Sequence, residues 1–243
     1  MQFLLEKAEP QLYDLEGRRY SDKQLRPINE PEPTTVDVCS LQGLVSYFKN
    51  GLDSELGSCL AKDIGHAPSL FFHVEDYRTV SLCTPLHGPF LQRSVLLRAT
   101  TLKNNFQFGQ FQDSEKFAIN VQSEFCPSEN RSKLLQIAGN VEVNASVGIA
   151  DDGVSQRTTA KTGIARREEV VLPNPVTLQP YRTFPEIKQP ECQFVFRMRQ
   201  DQDSRNPVSF ALFEADGNRW QIAASRSIAE YLTDHIETVP VLL

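Results

Sequence analysis

Two adjacent carboxylates before a glycine, Asp151-Asp152-Gly153, are the first residues in this chain of 243 whose types suggest chemistry. A divalent cation needs several oxygens converging on one point, so a nuclease or hydrolase built here would need Glu115, Glu214 or Asp216 to join them. Their spacing does not supply that convergence. Between strand-like stretches, Asp-Asp-Gly reads first as a turn, because glycine accepts the positive φ of a tight hairpin. The histidines, His66, His73, His87 and His235, form no HExxH and no ligand set at zinc spacing. Cys39, Cys59, Cys83, Cys126 and Cys192 contain no CxxC pair and read as reduced thiols. No serine lies in GxSxG, and Gly139, Gly148, Gly153 and Gly163 make neither a phosphate loop nor a dinucleotide fingerprint. The sequence therefore assigns no catalytic residue, no metal ligand and no cofactor. It points away from an enzyme, with a metal-dependent hydrolase or nuclease as the last alternative.

Basic residues offer a different chemistry. Arg157, Lys161, Arg166 and Arg167 cluster around the same hairpin, and Arg182 and Lys188 follow in the next block. Brought together, they are candidate contacts to nucleic-acid phosphates, which fix a backbone without choosing a base. Glu168 and Glu169 offer them internal partners instead. Trp220, the single tryptophan, is a candidate stacking platform with Arg219 beside it, or a core residue against Phe213, Ile222 and Tyr231. A net charge of −6 argues against coating nucleic acid through bulk electrostatics and leaves only a local basic site.

These residues need elements to position them. Ser40 caps a helix in which Leu41, Leu44, Val45 and Phe48 recur at helical spacing before Asn50-Gly51 stops it. Strands are predicted at Val36–Val38, Ser69–Val74, Thr79–Cys83 and within Leu91–Ala99, with a polar corner at Glu75–Arg78. Phe106–Phe111 alternates like a strand. So does Glu115–Phe125, with Phe117, Ile119, Val121, Ser123 and Phe125 on one face. Ser128 caps a second helix through Leu134, Leu135 and Ala138, closed by Gly139-Asn140. The strongest local pattern is a long hairpin: Val141, Val143, Ala145, Val147 and Ile149 on one face, a turn at Asp151-Asp152-Gly153, and a return through Val154–Lys161. Glu168–Leu172 continues the sheet, and Val176, Leu178, Tyr181, Phe184 and Ile187 need burial in an ordered crossing segment. Cys192–Arg199 and Pro207–Glu214 pair, and a terminal helix carries Ile228, Tyr231 and Leu232.

The sum is an α+β fold: a mainly antiparallel sheet with a long β-hairpin and a few covering helices. Residues 1–38 form an extended N-terminal arm and 39–243 a mixed body, divisible into two subdomains near 126–140. Pro27, Pro31 and Pro33 in the arm, with Val239, Val241, Leu242 and Leu243 in an apolar tail, are the candidate interface. An ordinary globular balance of 40% hydrophobic and 23% charged residues excludes a disordered chain. No apolar run reaches the length of a membrane span, and the first residues lack a secretory signal, which leaves the cytoplasm as the expected location.

Several ordered blocks together resemble a known family. They are Ala150–Gln156, Lys161–Ala165, Leu172–Leu178, Pro180–Phe184, the run from Gln189-Pro190 to Phe196-Arg197, and Ala211–Gly217. With Phe106–Phe117, they span about residues 40–235 of a pattern similar to the uncharacterised YfdQ-like family of tailed phages and prophages. The resemblance implies a viral protein working in the cytoplasm of a bacterial host, and it carries over no catalytic residue. Three functions follow in order. The first is a non-enzymatic accessory protein acting through self-association, as a homo-oligomer, or through a phage or host protein partner, with no membrane partner. The second is a nucleic-acid-binding accessory protein in phage DNA replication or recombination. The third is the hydrolase or nuclease.

Overall fold

The computed structural model describes residues 12–21, 34–51, 70–86, 91–143, 149–151, 156–162, 166–170, 172–200 and 208–243. They form an α+β fold in which helices cover parts of mostly antiparallel sheets. Strands β1 (Leu12–Leu15) and β2 (Arg18–Ser21) make a small hairpin within the first 38 residues. Pro27, Pro31 and Pro33 lie outside the described residues.

The first core belongs to a five-stranded sheet. Strands β3 (Val36–Val38), β4 (Phe71–Val74), β5 (Thr79–Cys83) and β6 (Val95–Thr100) lie where alternation places them. β4, β5 and β6 form an antiparallel meander, and β3 adds to β6 in parallel. Helix α1 (Leu41–Lys49) starts where the Ser40 hydroxyl accepts the Gly43 N–H at 3.0 Å, and it buries Leu41, Leu44 and Val45. At its other end Gly51 takes a φ of 61°, which glycine adopts without strain.

The second core belongs to an antiparallel four-stranded sheet. Its order is β11 (Val176–Leu178), β12 (Cys192–Gln200), β13 (Val208–Glu214) and β7 (Gln112–Asp113). Phe194, Phe196 and Phe210 meet Phe117 and Phe125, which come from helix α2 (Ser114–Glu124) and the residue that ends it. This stretch is helical where alternation predicts a strand. Phe117, Val121 and Phe125 are also four residues apart, so the same residues make a helical stripe, and Ile119 between them stands 57% exposed. The Asp113 carboxylate accepts the Lys116 N–H at 2.8 Å and fixes the choice, as an N-cap that a strand cannot use.

Helix α3 (Glu129–Val143) begins at Ser128 as expected, its hydroxyl accepting the Arg131 N–H at 3.1 Å. It then runs through Gly139-Asn140, so Val141 and Val143 are helical rather than the start of a long strand. Leu134, Ile137 and Ala138 already bury the helix against the sheet, and one glycine costs only ~1 kcal/mol there. The hairpin itself is present in shorter form. β8 (Ile149–Asp151), β9 (Gln156–Thr162) and β10 (Arg166–Val170) make a three-stranded antiparallel sheet. Ala145, Val147, Asp152 and Gly153 lie outside the described residues. Phe106–Phe111 is a loop, not a strand: Gly109 has a φ of 74°, and its N–H reaches the Leu212 carbonyl at 2.8 Å.

The chain ends on helix α4 (Arg219–His235) and strand β14 (Val241–Leu242), which pairs in parallel with β4. Val239 and Val241, named as candidate interface residues, pack on the chain's own first core. Val239 is buried, Val241 lies opposite Phe72, and burial there removes apolar area from water at ~25 cal/mol per Å² without any second chain. Leu242 and Leu243 remain exposed. Among the described residues no helix is long and apolar enough to cross a membrane.

Candidate binding cleft

Beside the second core lies a cleft of about 260 Å³ built from four separate pieces of chain. The β4–β5 corner gives Tyr77 and Arg78, and the loop after β6 gives Lys103, Asn104, Phe106 and Phe108. Arg182 comes from the crossing segment after β11, and Glu214 from the end of β13. Asn218, Trp220 and Gln221 come from the start of α4.

Backbone pairing holds these pieces together. The Thr101 N–H donates to the Arg78 carbonyl at 3.0 Å, and the Thr183 hydroxyl donates to the Tyr77 carbonyl at 2.7 Å. The Asn104 amide donates to the Glu124 and Tyr181 carbonyls at 3.1 and 3.0 Å, joining the loop to α2 and the crossing segment. Behind Arg182, the buried Gln189 side chain accepts the Arg182 and Thr183 N–H groups at 2.9 and 3.2 Å and donates to the Phe184 carbonyl at 3.0 Å. A loop with so many buried polar groups stays ordered because one amide satisfies several of them.

Arg182 is the centre of the wall and is only 5% exposed. Its guanidinium carbon lies 4.1 Å from the Phe108 ring centroid and 4.4 Å from that of Trp220, and Glu214 pairs with it at 2.5 Å. Tyr77 packs edge-on against Trp220 with centroids 4.6 Å apart. The arginine is thus sandwiched and neutralised, which makes it a pin within the second core. The thiol of Cys192, 4.0 Å from the guanidinium, is pushed up to about 12, chiefly by burial. Arg182 opposes that shift, while Asp216 and Glu214 reinforce it. Such a thiol stays protonated and is a poor nucleophile.

Two donors on this wall are unused. Arg78 Nε and Trp220 Nε1 are buried with no hydrogen-bond acceptor among the described residues. Arg78 does donate from Nη2 to the Thr101 carbonyl at 3.2 Å. Lys103 stands exposed on the same cleft. Immediately beside lining residues Lys103 and Gln221 come Leu102 and Ile222, 83% and 60% exposed.

Of the residues singled out by sequence, Arg182 and Trp220 come together here, both buried. Lys188 lies on the surface, 3.6 Å from Glu191. Arg157, Lys161, Arg166 and Arg167 lie in β9 and β10, where Arg167 pairs with Lys161 and Arg157 with Ala150. Arg157, Lys161 and Arg167 therefore share one parity in the ladder, and Arg166 has the other. Glu115 lies in the first turn of α2, Asp151 ends β8, and Asp216 follows β13 with Oδ1 accepting the Asn218 N–H at 3.1 Å. Among the described residues no group of three or more His, Cys, Asp or Glu side chains is placed to hold a metal ion. Sequence reasoning missed Tyr77, Arg78, Lys103 and Gln221 as members of one site. A polar corner between two strands was their only signal, and no spacing links positions 78, 103, 182 and 221. No family model, curated protein or solved structure matches the chain.

Proposed function

We propose that this chain is a non-enzymatic accessory protein of a bacteriophage or prophage, similar to the YfdQ-like family, that acts in the host cytoplasm by associating with further copies of itself at the mouth of the cleft. The observation that carries the reading is a pair of large apolar side chains, Leu102 and Ile222, next in sequence to cleft residues Lys103 and Gln221 and standing mostly in water. Side chains so exposed are common singly, but two that neighbour in sequence the residues of a preformed, partly aromatic concavity fit a protein interface. Charge supports a second copy as the partner. Arg78, Lys103 and Arg182 outnumber Glu214 in the lining, whereas the whole chain carries −6, so the outer surface of another copy complements the cleft. Sedimentation of the intact chain and of a Leu102→Asp/Ile222→Asp variant across protein concentration tests this. Assembly that the variant loses supports it, and a strictly monomeric intact chain refutes it.

A nucleic-acid reading rests on a different observation, the shared ladder parity of Arg157, Lys161 and Arg167. The cleft favours it less, because Trp220 and Phe108 already pack against Arg182 and offer no free stacking platform. Binding to single- and double-stranded DNA across salt decides it. A steep salt slope that Arg167→Gln reduces supports this reading, and no binding at low salt rejects it.

A further inference from the structure

The outer face of the four-stranded sheet carries chemistry that neither the cleft nor the β9–β10 ladder uses. Alternation gives β12 and β13 two faces. Phe194, Phe196, Phe210 and Leu212 are buried on one, against residues of α2 and α3. Val195, Arg197, Arg199, Ser209 and Phe213 therefore stand on the other, with Val195 opposite Phe213 and Arg199 opposite Ser209. These five are exposed or half-buried. The loop before β7 adds Phe111, 36% exposed, whose ring meets that of Phe213 edge-on with centroids 6.1 Å apart. Arg199 lays its guanidinium carbon over the Phe111 ring, 4.7 Å from the centroid.

The charge on this face is not balanced. Among the described residues neither Arg197 nor Arg199 is paired with a carboxylate. Arg197 donates to the Phe196 carbonyl at 3.1 Å. Asp113, opposite Ser209, falls on the same face by register, and its carboxylate is engaged in capping α2. Two uncompensated cations thus sit beside two aromatic rings in a chain whose net charge is −6.

We infer that this face binds single-stranded nucleic acid. A guanidinium layered on Phe111 presents its own second flat side, on which a base can stack, and Phe213 offers a ring beside it. Arg197 and Arg199, two residues apart on one strand, supply positive charge to the backbone. A duplex keeps its bases stacked inside and would use the arginines without the rings. A second copy docked face to face would set the same two arginines against their own kind. The inference rests neither on association at the cleft nor on the ladder parity of Arg157, Lys161 and Arg167.

Fluorescence anisotropy of the full chain across salt is the experiment, with labelled oligothymidylate and oligouridylate of about twelve nucleotides and a duplex of the same length. The intact chain is expected to bind at least one single strand more tightly than the duplex. Phe111→Ala should weaken that binding roughly tenfold, and Arg199→Gln several-fold, with a salt slope shallower by about 0.7. Arg199→Lys keeps the charge and loses the plane, so it should keep the slope and still lose affinity. Phe111 and Arg199 are both exposed, and melting curves check that each variant folds. No binding of either single strand at low salt overturns the assignment. So does equal binding of the duplex, or binding that folded Phe111→Ala and Arg199→Gln leave unchanged. Weakening by Arg167→Gln alone places the contact on β9 and β10 and overturns it too. None of these outcomes is read from assembly, so this face and the association surface fail or stand separately.

Discussion

If Arg182 pins the second core, its charge and that of Glu214 must be energetically coupled, and the coupling can be measured. Glu214→Gln keeps the side chain's size and leaves a guanidinium that is 5% exposed without its counter-charge. Stranding a buried charge costs ~3–5 kcal/mol when nothing compensates. Phe108 and Trp220 do compensate in part, since desolvated cation–π contacts contribute up to ~2 kcal/mol each. A net loss of about 2–3 kcal/mol is therefore expected. Arg182→Met is expected to cost about 1–3 kcal/mol: it forfeits the ring contacts but also removes the desolvation cost of the cation. Glu214, 36% exposed, can then turn towards water. In the double variant no charge is stranded, so its loss should fall short of the two single losses together by at least ~1.5 kcal/mol. Urea unfolding of the four proteins, with equal m-values, gives the cycle. Losses that add to within ~0.5 kcal/mol would refute the pin, because independent residues behave that way.

Further expectations follow from the packing. Val121→Lys should unfold or severely destabilise the protein, while Ile119→Lys should change stability by less than ~0.5 kcal/mol; equal effects in thermal melts would restore the strand reading of this stretch. Gln189→Leu leaves the Arg182 and Thr183 N–H groups without acceptors and should cost ~2–5 kcal/mol in urea unfolding, whereas a loss below ~1 kcal/mol would show that the loop is not held by that amide. The Cys192 thiol lies above its ordinary value of 9.0 in the folded chain, pushed to about 12 mainly by burial. Its contribution is whole below pH 9.0 and is lost as the pH rises towards about 12, because the unfolded thiol ionises first. Stability measured across that window should fall more steeply in the intact chain than in Cys192→Ala; parallel slopes would contradict the burial.

Local signals in this sequence carry far where one residue has one use. Ser40 and Ser128 cap helices from sequence alone, and the corner at Glu75–Arg78 separates β4 from β5 as expected. They mislead where a pattern satisfies two periods. Phe117, Val121 and Phe125 fit a two-residue and a four-residue repeat alike, and the Asp113 cap decides between them. The valines at 141 and 143 look like a strand because nothing local records that α3 is already anchored by Leu134 and Ile137. The cleft is harder still to read. Its residues lie on four pieces of chain brought together by Asn104, Thr183 and Gln189, whose long-range bonds leave no trace in spacing. Arg182 and Trp220 attract attention as exposed contacts, yet each supplies the other's burial.

Association at the mouth of the cleft is read without an intermediate by sedimentation velocity. The intact chain and its Leu102→Asp/Ile222→Asp variant would be compared over a roughly hundredfold range of protein concentration. The intact chain should move from a 27.5 kDa monomer to a defined oligomer as concentration rises, and the variant should stay monomeric with an unchanged melting temperature. An intact chain that remains at the monomer mass throughout, or a variant that assembles equally well, would contradict it.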